Sequence, residues 1–171
     1  MTFHSIVKQW CESYKYMRHT KENKRFYLTD SMQGVVDFAK NIANSFSPCV
    51  MMESDVEGGG PISRPKRNYP IYFMVKADKM ADGEEAAVAK EEAWMHAQNF
   101  LAWLLDKHNK EIAEDKRDGD FARIDLDGAI IDIGTSGPLE NGWYGVYIQF
   151  EREEPLNLCV NEDLYDNLCK C

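Results

Sequence analysis

The chain has 171 residues, a length that suits one domain, and its 44% hydrophobic and 12% aromatic residues supply enough apolar material for a packed core. No apolar run reaches the roughly 18 to 20 residues that cross a bilayer, and the start of the chain is polar and mixed, so the sequence predicts neither a membrane span nor a signal peptide. The formal net charge of -9 at pH 7 repels phosphate backbones, which disfavours sequence-specific binding of nucleic acid.

The five cysteines are odd in number and scattered, unlike the disulfide framework of a secreted protein. We therefore predict free thiols in a reducing compartment. Cys159, Cys169 and Cys171 could supply three thiolates, but they form no paired C-x-x-C knuckles and have no histidine nearby in the sequence. We expect no zinc site there.

The N-terminal region, residues 1–45, has two helical patterns. Apolar side chains recur at steps of three and four from Phe3 to Met17, which predicts an amphipathic helix. A polar and basic stretch follows from Arg18 to Arg25. Asp30 or Ser31 then caps a second predicted helix, which contains Met32, Val35, Val36, Ala39 and Ile42.

Two apolar strands are predicted next, at Cys49–Val56 and Tyr69–Ala77. The segment between them begins with Gly58-Gly59-Gly60-Pro61, and no phosphate-binding motif follows these glycines, so we interpret it as a linker. Its later part carries Arg64, Lys66 and Arg67, the one locally basic loop of the chain. The pattern predicts a hairpin with an extended basic tip.

A long helix is predicted from Glu84 to about Glu114, with Asp82 as its N-cap. Some 30 residues span about 45 Å at 1.5 Å per residue. Trp94 and Trp103 on this helix must therefore cover a broad sheet or a neighbouring subunit.

Glu92 and His96 lie one turn apart on the long helix, a spacing that could ligate a metal or move protons. The H-E-x-x-H motif of zinc proteases is absent, and the surrounding residues indicate an ordinary half-exposed surface.

The segment after Asp118-Gly119 has two interpretations. If Asp127-Gly128 makes a tight turn, a hairpin forms from Phe121–Leu126 and Ala129–Ile133. The alternation of apolar and polar side chains shifts by one residue at Gly128, as the register of such a hairpin requires. A single bulged strand produces the same shift. The pattern leaves both possibilities open.

Five aspartates crowd this segment, and carboxylates are ligands for calcium or magnesium. Their spacing does not fit an EF-hand loop, and a solvated strand face opposite Ile124 and Leu126 accounts for Asp125 and Asp127 without a metal. We expect no metal there. The five are Asp118, Asp120, Asp125, Asp127 and Asp132.

Strict alternation from Trp143 to Glu151 predicts a strand, which ends before Pro155. The chain is thus predicted to be a single α+β domain with a mostly antiparallel sheet (residues 46–155) packed against one long helix, after N-terminal helices (1–45) and before an acidic tail (156–171). No G-x-S-x-G elbow or triad spacing occurs, so the sequence predicts no catalytic residue, no cofactor and no enzyme.

The order of elements resembles small structural proteins of tailed bacteriophages, in particular tail terminator or tail completion proteins of the neck and tail. Ile130-Ile131-Asp132-Ile133, a polar turn and then Gly142-Trp143 before an alternating strand look like the closing strands of such modules. The likeness covers roughly Ser47 to Glu154. The two N-terminal helices and the acidic tail depart from it.

The resemblance implies a structural virion protein that forms a ring, often a hexamer, at the head-tail joint or the tail end. It implies contacts with copies of itself and with other tail or neck proteins, first in the host cytoplasm and then in the virion. By the resemblance, Arg64, Lys66 and Arg67 would be contact residues in a protruding loop. Tyrosine and tryptophan are enriched at interfaces, so Trp94, Trp103 and Trp143 are candidate oligomer contacts.

Two other classes of function fit the sequence. A small enzyme or ligand-binding module could use a pocket between the long helix and the sheet, near Glu92, His96 and the aspartates. An acidic regulatory or anti-defence protein could bind a basic partner.

Overall fold

A computed structural model of the chain describes residues 1–41, 46–54, 58–59, 65–77, 83–139 and 142–154. It has the predicted α+β class, with helices packed on a sheet. The elements in chain order are α1 (Phe3–Ser13), β1 (Phe26–Thr29), α2 (Met32–Asn41), β2 (Cys49–Glu53), β3 (Gly58–Gly59), β4 (Lys66–Lys76), α3 (Gly83–Ala113), β5 (Ile124–Leu139) and β6 (Trp143–Glu153).

The described strands form one mixed sheet in the order β1-β2-β4-β6-β5, with β3 added beside one end of β4. β4 and β6 pair over their whole length, from Lys66 opposite Glu153 to Lys76 opposite Trp143. Every pair is antiparallel except β1 with β2, which is parallel. The prediction of a mostly antiparallel sheet is confirmed.

The main core fills the space between one face of the sheet and helices α1 and α3. Phe100 of α3 lies at its centre, with ring centroids 5.2 Å from Trp10 of α1, 5.6 Å from Phe73 of β4 and 6.2 Å from Phe150 of β6. These four side chains are almost completely buried. Aromatic rings at these distances pack edge-to-face or tilted, which stabilises the layer beyond the apolar area that it buries.

A smaller core lies on the opposite face of the sheet, under α2. Val35 of α2 packs there with Met51, Tyr72 and Trp143 of three different strands. α2 begins where predicted, because the Ser31 hydroxyl accepts a hydrogen bond from the backbone N–H of Gly34 at 3.3 Å. Both faces of the inner strands are therefore covered near α2.

The prediction for the first helix was wrong at its end. α1 stops at Ser13 rather than Met17, since Tyr14 has extended backbone angles and its ring stacks on Trp10 at 4.6 Å. Met17 is buried all the same, at 1% exposure, through the turn that follows.

The parallel strand β1 was not predicted. It has four residues, with Phe26 opposite Val50 and Thr29 opposite Glu53, and the sequence pattern around it is polar and basic. A run this short has too few alternations to reveal its period, and only pairing with β2 defines it as a strand.

The basic loop was predicted too long. β4 begins at Lys66, not Tyr69, and Gly58 and Gly59 of the expected linker pair with Arg67 and Lys66 as the short strand β3. β2 ends at Glu53 rather than Val56. Arg64 and the tip of this connection lie outside the described residues.

The segment after α3 is one bulged strand and not a hairpin. Asp125 lies opposite Glu151, but Ile130 lies opposite Gln149, so four residues of β5 oppose Phe150 alone. The Asp125 carboxylate closes this bulge by accepting a hydrogen bond from the Gly128 N–H at 2.9 Å. A tight turn at Asp127-Gly128 is thereby excluded.

The long helix α3 has the predicted extent, with 31 residues from Gly83 to Ala113. It packs along β4, β6 and β5. The helix is long because it covers three strands of the sheet. Asp82, the predicted N-cap, lies outside the described residues. No helix in the described ranges has the length and apolar character needed to cross a membrane.

Candidate functional site

Of the pair Glu92 and His96, only the histidine is more buried than the sequence indicated. The His96 ring is 1% exposed, so the prediction of a half-exposed surface was wrong for this residue, whereas the Glu92 side chain is 44% exposed. Its Nδ1 lies 3.1 Å from the Tyr14 hydroxyl, and its Nε2 lies 3.5 Å from Glu92 Oε1 without a hydrogen bond of good geometry. Burial lowers the pKa of His96. The nearby negative charge of Glu92 raises it, but the effect of burial is larger.

The contact between His96 and Tyr14 joins α3 to the end of α1. The rings of Trp10 and Tyr14 stack, and the ring of Tyr16 lies 5.9 Å from His96. This arrangement is a packed aromatic corner, in which burial favours the neutral form of the histidine.

Two aspartates of the segment 118–132, Asp120 and Asp125, have different partners. Asp120 pairs with cationic groups, at 2.9 Å from both Arg123 and Arg152. Asp125 closes the bulge in β5 and lies 3.6 Å from Lys66. No three His, Cys, Asp or Glu side chains converge on a possible metal position within the described part of the chain.

The described cysteines Cys11 and Cys49 are free thiols inside the protein. Burial raises the pKa of both, which disfavours the reactive thiolate. Cys159, Cys169 and Cys171 lie outside the described residues.

Lys66 and Arg67, two of the three predicted contact residues of the basic loop, lie on strand β4, and Arg64 lies outside the described residues. Lys66 donates to Glu151 at 3.0 Å across the sheet, so it is tied to its own chain. Arg67 is exposed. Both lie on a paired strand and not on a protruding loop, which corrects the predicted placement.

The three tryptophans that were candidate oligomer contacts differ in exposure. Trp143 is 0% exposed in the smaller core, so its side chain offers no surface to a partner. Trp94 and Trp103 are partly buried and pack against the main core. Trp103 contacts Phe121 with ring centroids 5.5 Å apart.

Large apolar side chains are exposed instead on strand β5, which is one edge of the described sheet. Ile130 is 57% and Ile131 is 42% exposed, and these two side chains point to opposite faces. The sequence of β5 contains three aspartates and neither lysine nor arginine. This edge is therefore apolar at Ile130 and Ile131, with the exposed carboxylate of Asp127 nearby, whereas Asp125 lies beside Lys66.

Strand β1, at the other edge, has no charged residue, but the surface beside it has more basic than acidic side chains. Its Leu28 is 52% exposed, and a groove of about 580 Å³ runs beside it. Besides the strand, the groove is lined by Lys8 and Glu12 of α1 and by the connection to β1. That connection contributes His19, Thr20, Lys21 and Lys24.

The two sheet edges thus each combine an exposed apolar side chain with nearby charge, acidic beside β5 and mainly basic beside β1. The sequence contains the charges of both, but the β1 edge was missed because β1 itself was not predicted. The basic stretch between the two N-terminal helices was its only signal.

Comparison of the chain with protein-family models, with curated proteins and with solved structures finds no match.

Proposed function

We propose that the protein is a structural subunit that assembles into a ring, with a role of the tail terminator or neck type in a tailed bacteriophage or prophage. In that role it would bind copies of itself and other tail or neck proteins. It would assemble in the host cytoplasm and end in the virion.

The proposal that the protein assembles rests on the two edges of the sheet, which differ in their exposed side chains and nearby charge. In the described sheet, β1 and β5 each have a strand neighbour on one side only. Soluble proteins commonly protect such edges with charges or cover them, because exposed backbone N–H and C=O groups invite pairing. Here each edge presents exposed leucine or isoleucine, at 52% for Leu28 and 57% for Ile130. Exposed apolar side chains on an open edge favour a partner.

The phage part of the proposal comes from the order of elements and from the closing strands. β5 and β6 are antiparallel neighbours, with Ile131 opposite Ile148, and α3 crosses the sheet behind them. This is the arrangement expected of the neck and tail modules that the sequence resembles.

The alternative of a small enzyme required a pocket between α3 and the sheet. The middle of that space is filled by the rings of Trp10, Phe73, Phe100 and Phe150, and open grooves of about 400 and 310 Å³ lie at its two ends. The groups suggested for it are also separated, since His96 contacts α1 whereas Asp120 pairs with arginines beyond the other end of the helix. The assembly role fits this filled interface better.

The assembly proposal is tested by native mass spectrometry and by negative-stain electron microscopy of the purified chain. A single closed species with a fixed number of copies is expected, six by the family resemblance. A monomer at every concentration up to the millimolar range would overturn it. For the phage part, antibodies raised against the chain should label one tail end or the neck of particles from the same source, and labelling elsewhere would contradict it.

A further inference from the structure

We propose that the copies join head to tail, with the β5 edge of one subunit pairing with the β1 edge of the next to extend one continuous sheet around the ring. The inference rests on the proposed assembly and names its interface. It follows from the directions of the edge strands, from the face of the sheet on which their exposed side chains lie, and from the charge beside each edge.

The strand directions allow this pairing. β1 and β2 run parallel, and each later step through β4, β6 and β5 reverses direction, so β5 runs opposite to β1 within one subunit. Two neighbours in a cyclic ring have the same orientation relative to the ring axis. The β5 edge of one therefore meets the β1 edge of the next as an antiparallel pair, which forms regular ladder hydrogen bonds.

The exposed side chains of Leu28 and Ile131 lie on the same face of the sheet. Leu28 lies opposite Met52 and Ile131 lies opposite Ile148, and both of these partners belong to the core on the α1 and α3 side. Side chains that share a face of neighbouring strands contact one another. Leu28 of one subunit would thus cover Ile131 of the next and continue the main core across the interface.

Charge favours this pairing over pairing between identical edges. The groove beside β1 contains Lys8, Lys21 and Lys24 with one carboxylate, Glu12. On β5, Asp127 is exposed and Asp125 lies 3.6 Å from Lys66 of its own chain, and the strand has no basic residue. Two β5 edges together would bring like charges close, as would two lysine-lined β1 edges. The pairing of β5 with β1 brings opposite charges together, which sets the partner and its orientation.

An interface between two different surfaces generates a ring when its rotation closes. This consequence separates the proposal from a symmetric dimer, in which the same surface serves both copies. It also means that each subunit has two independent half-interfaces, which can be blocked one at a time.

The test blocks each edge with one exposed carboxylate. Leu28→Glu disables the β1 edge, and Ile131→Glu disables the β5 edge, because pairing would bury the new carboxylate against the apolar side chain of the other edge. Each variant alone should be monomeric by native mass spectrometry, with an unchanged circular dichroism spectrum since both positions are exposed. Leu105→Glu is the matched control, because Leu105 is 48% exposed on α3. The control should assemble like the unmodified chain.

Mixing the two monomeric variants is the decisive step. Each retains the edge that the other lacks, so they should form a one-to-one dimer and nothing larger, because the two remaining edges both carry the new glutamate. Absence of that dimer at 1 mM of each variant, or persistence of rings in either variant alone, would overturn the head-to-tail interface. If the unmodified chain forms rings in that case, the proposed function would still be supported. If the unmodified chain is itself a monomer, the proposed function falls together with the interface.

Discussion

The guanidinium of Arg152 lies 2.9 Å from the carboxylate of Asp120, and this pair joins the last described strand to the turn before β5. Arg152 is 1% exposed, and its Nη1 also contacts Glu154 at 3.1 Å. The ammonium group of Met1 lies 2.7 Å from the same Asp120 carboxylate. The start of the chain, the β5 turn and the end of β6 therefore meet at one ionic cluster.

Replacing Asp120 with asparagine should lower the free energy of unfolding by about 1 to 3 kcal/mol, because the buried Arg152 would lose one of its two carboxylates. Urea denaturation followed by circular dichroism measures this change. Asp115→Asn is the control, since Asp115 belongs to an ion pair whose side chains are 85% and 87% exposed. It should leave the stability nearly unchanged. Equal effects of the two substitutions would contradict the role assigned to the cluster.

The same cluster predicts a pH dependence. Burial alone raises the pKa of Asp120, but the hydrogen bond and charge of the Met1 ammonium, with Arg152 and Arg123, outweigh it and lower the pKa below its ordinary value. The unfolded state therefore binds a proton at higher pH than the folded state does. The contribution of Asp120 to stability is complete above a pH of about 4 and decreases as the pH falls through the folded pKa. Asp120→Asn should lose less stability than the unmodified chain over that acidic range.

His96 predicts a second pH dependence near neutrality. Burial lowers its pKa, so the folded state holds the imidazole neutral while the unfolded chain takes up a proton below a pH of about 6.5. Stability should fall as the pH drops from 7 toward the folded pKa. His96→Gln should show a shallower dependence in thermal denaturation between pH 5 and 7. Part of the slope will remain, because burial also lowers the pKa of His19. An unchanged slope in the variant would contradict the assignment.

Gly145 on β6 should not tolerate a side chain. A Cβ atom there would lie 2.4 Å from the Met74 sulfur and 2.7 Å from the Phe73 carbonyl oxygen, which is backbone and cannot move aside. Gly145→Ala should reduce the free energy of unfolding by about 1 to 3 kcal/mol through overpacking. Gly59→Ala is the control, because nothing lies within 4 Å of the added atom. A neutral result at Gly145 would mean that β4 and β6 are less closely apposed.

Arg67→Glu tests the contact role predicted for the basic residues. Arg67 is exposed on β4, whereas Lys66 is engaged with Glu151 and Asp125. If Arg67 binds a neighbouring protein, its reversal should weaken assembly while the melting temperature changes little. Lys66→Glu should instead lower the melting temperature, because it would place a third negative charge beside two others. Unchanged assembly in Arg67→Glu would remove this residue from the interface.

The fold class and the longest elements could be predicted from the sequence because their signals are local. The alternation from Trp143 onward indicated β6, and the helical period with an unbroken run of helix-forming residues indicated α3. Ser31 marked the start of α2 through its capping hydroxyl. Each of these signals lies within a few residues of the element that it describes.

What the tertiary structure alone decided depends on groups far apart in the chain. The four residues of β1 became a strand by pairing with β2, and the choice between a hairpin and a bulge at Asp127-Gly128 was settled by the pairing of β5 with β6. His96 is buried because α1 covers it, and Arg152 meets Asp120 across 32 residues of sequence. Local patterns contain no information on such pairings, since burial and partner choice arise only when the whole chain packs.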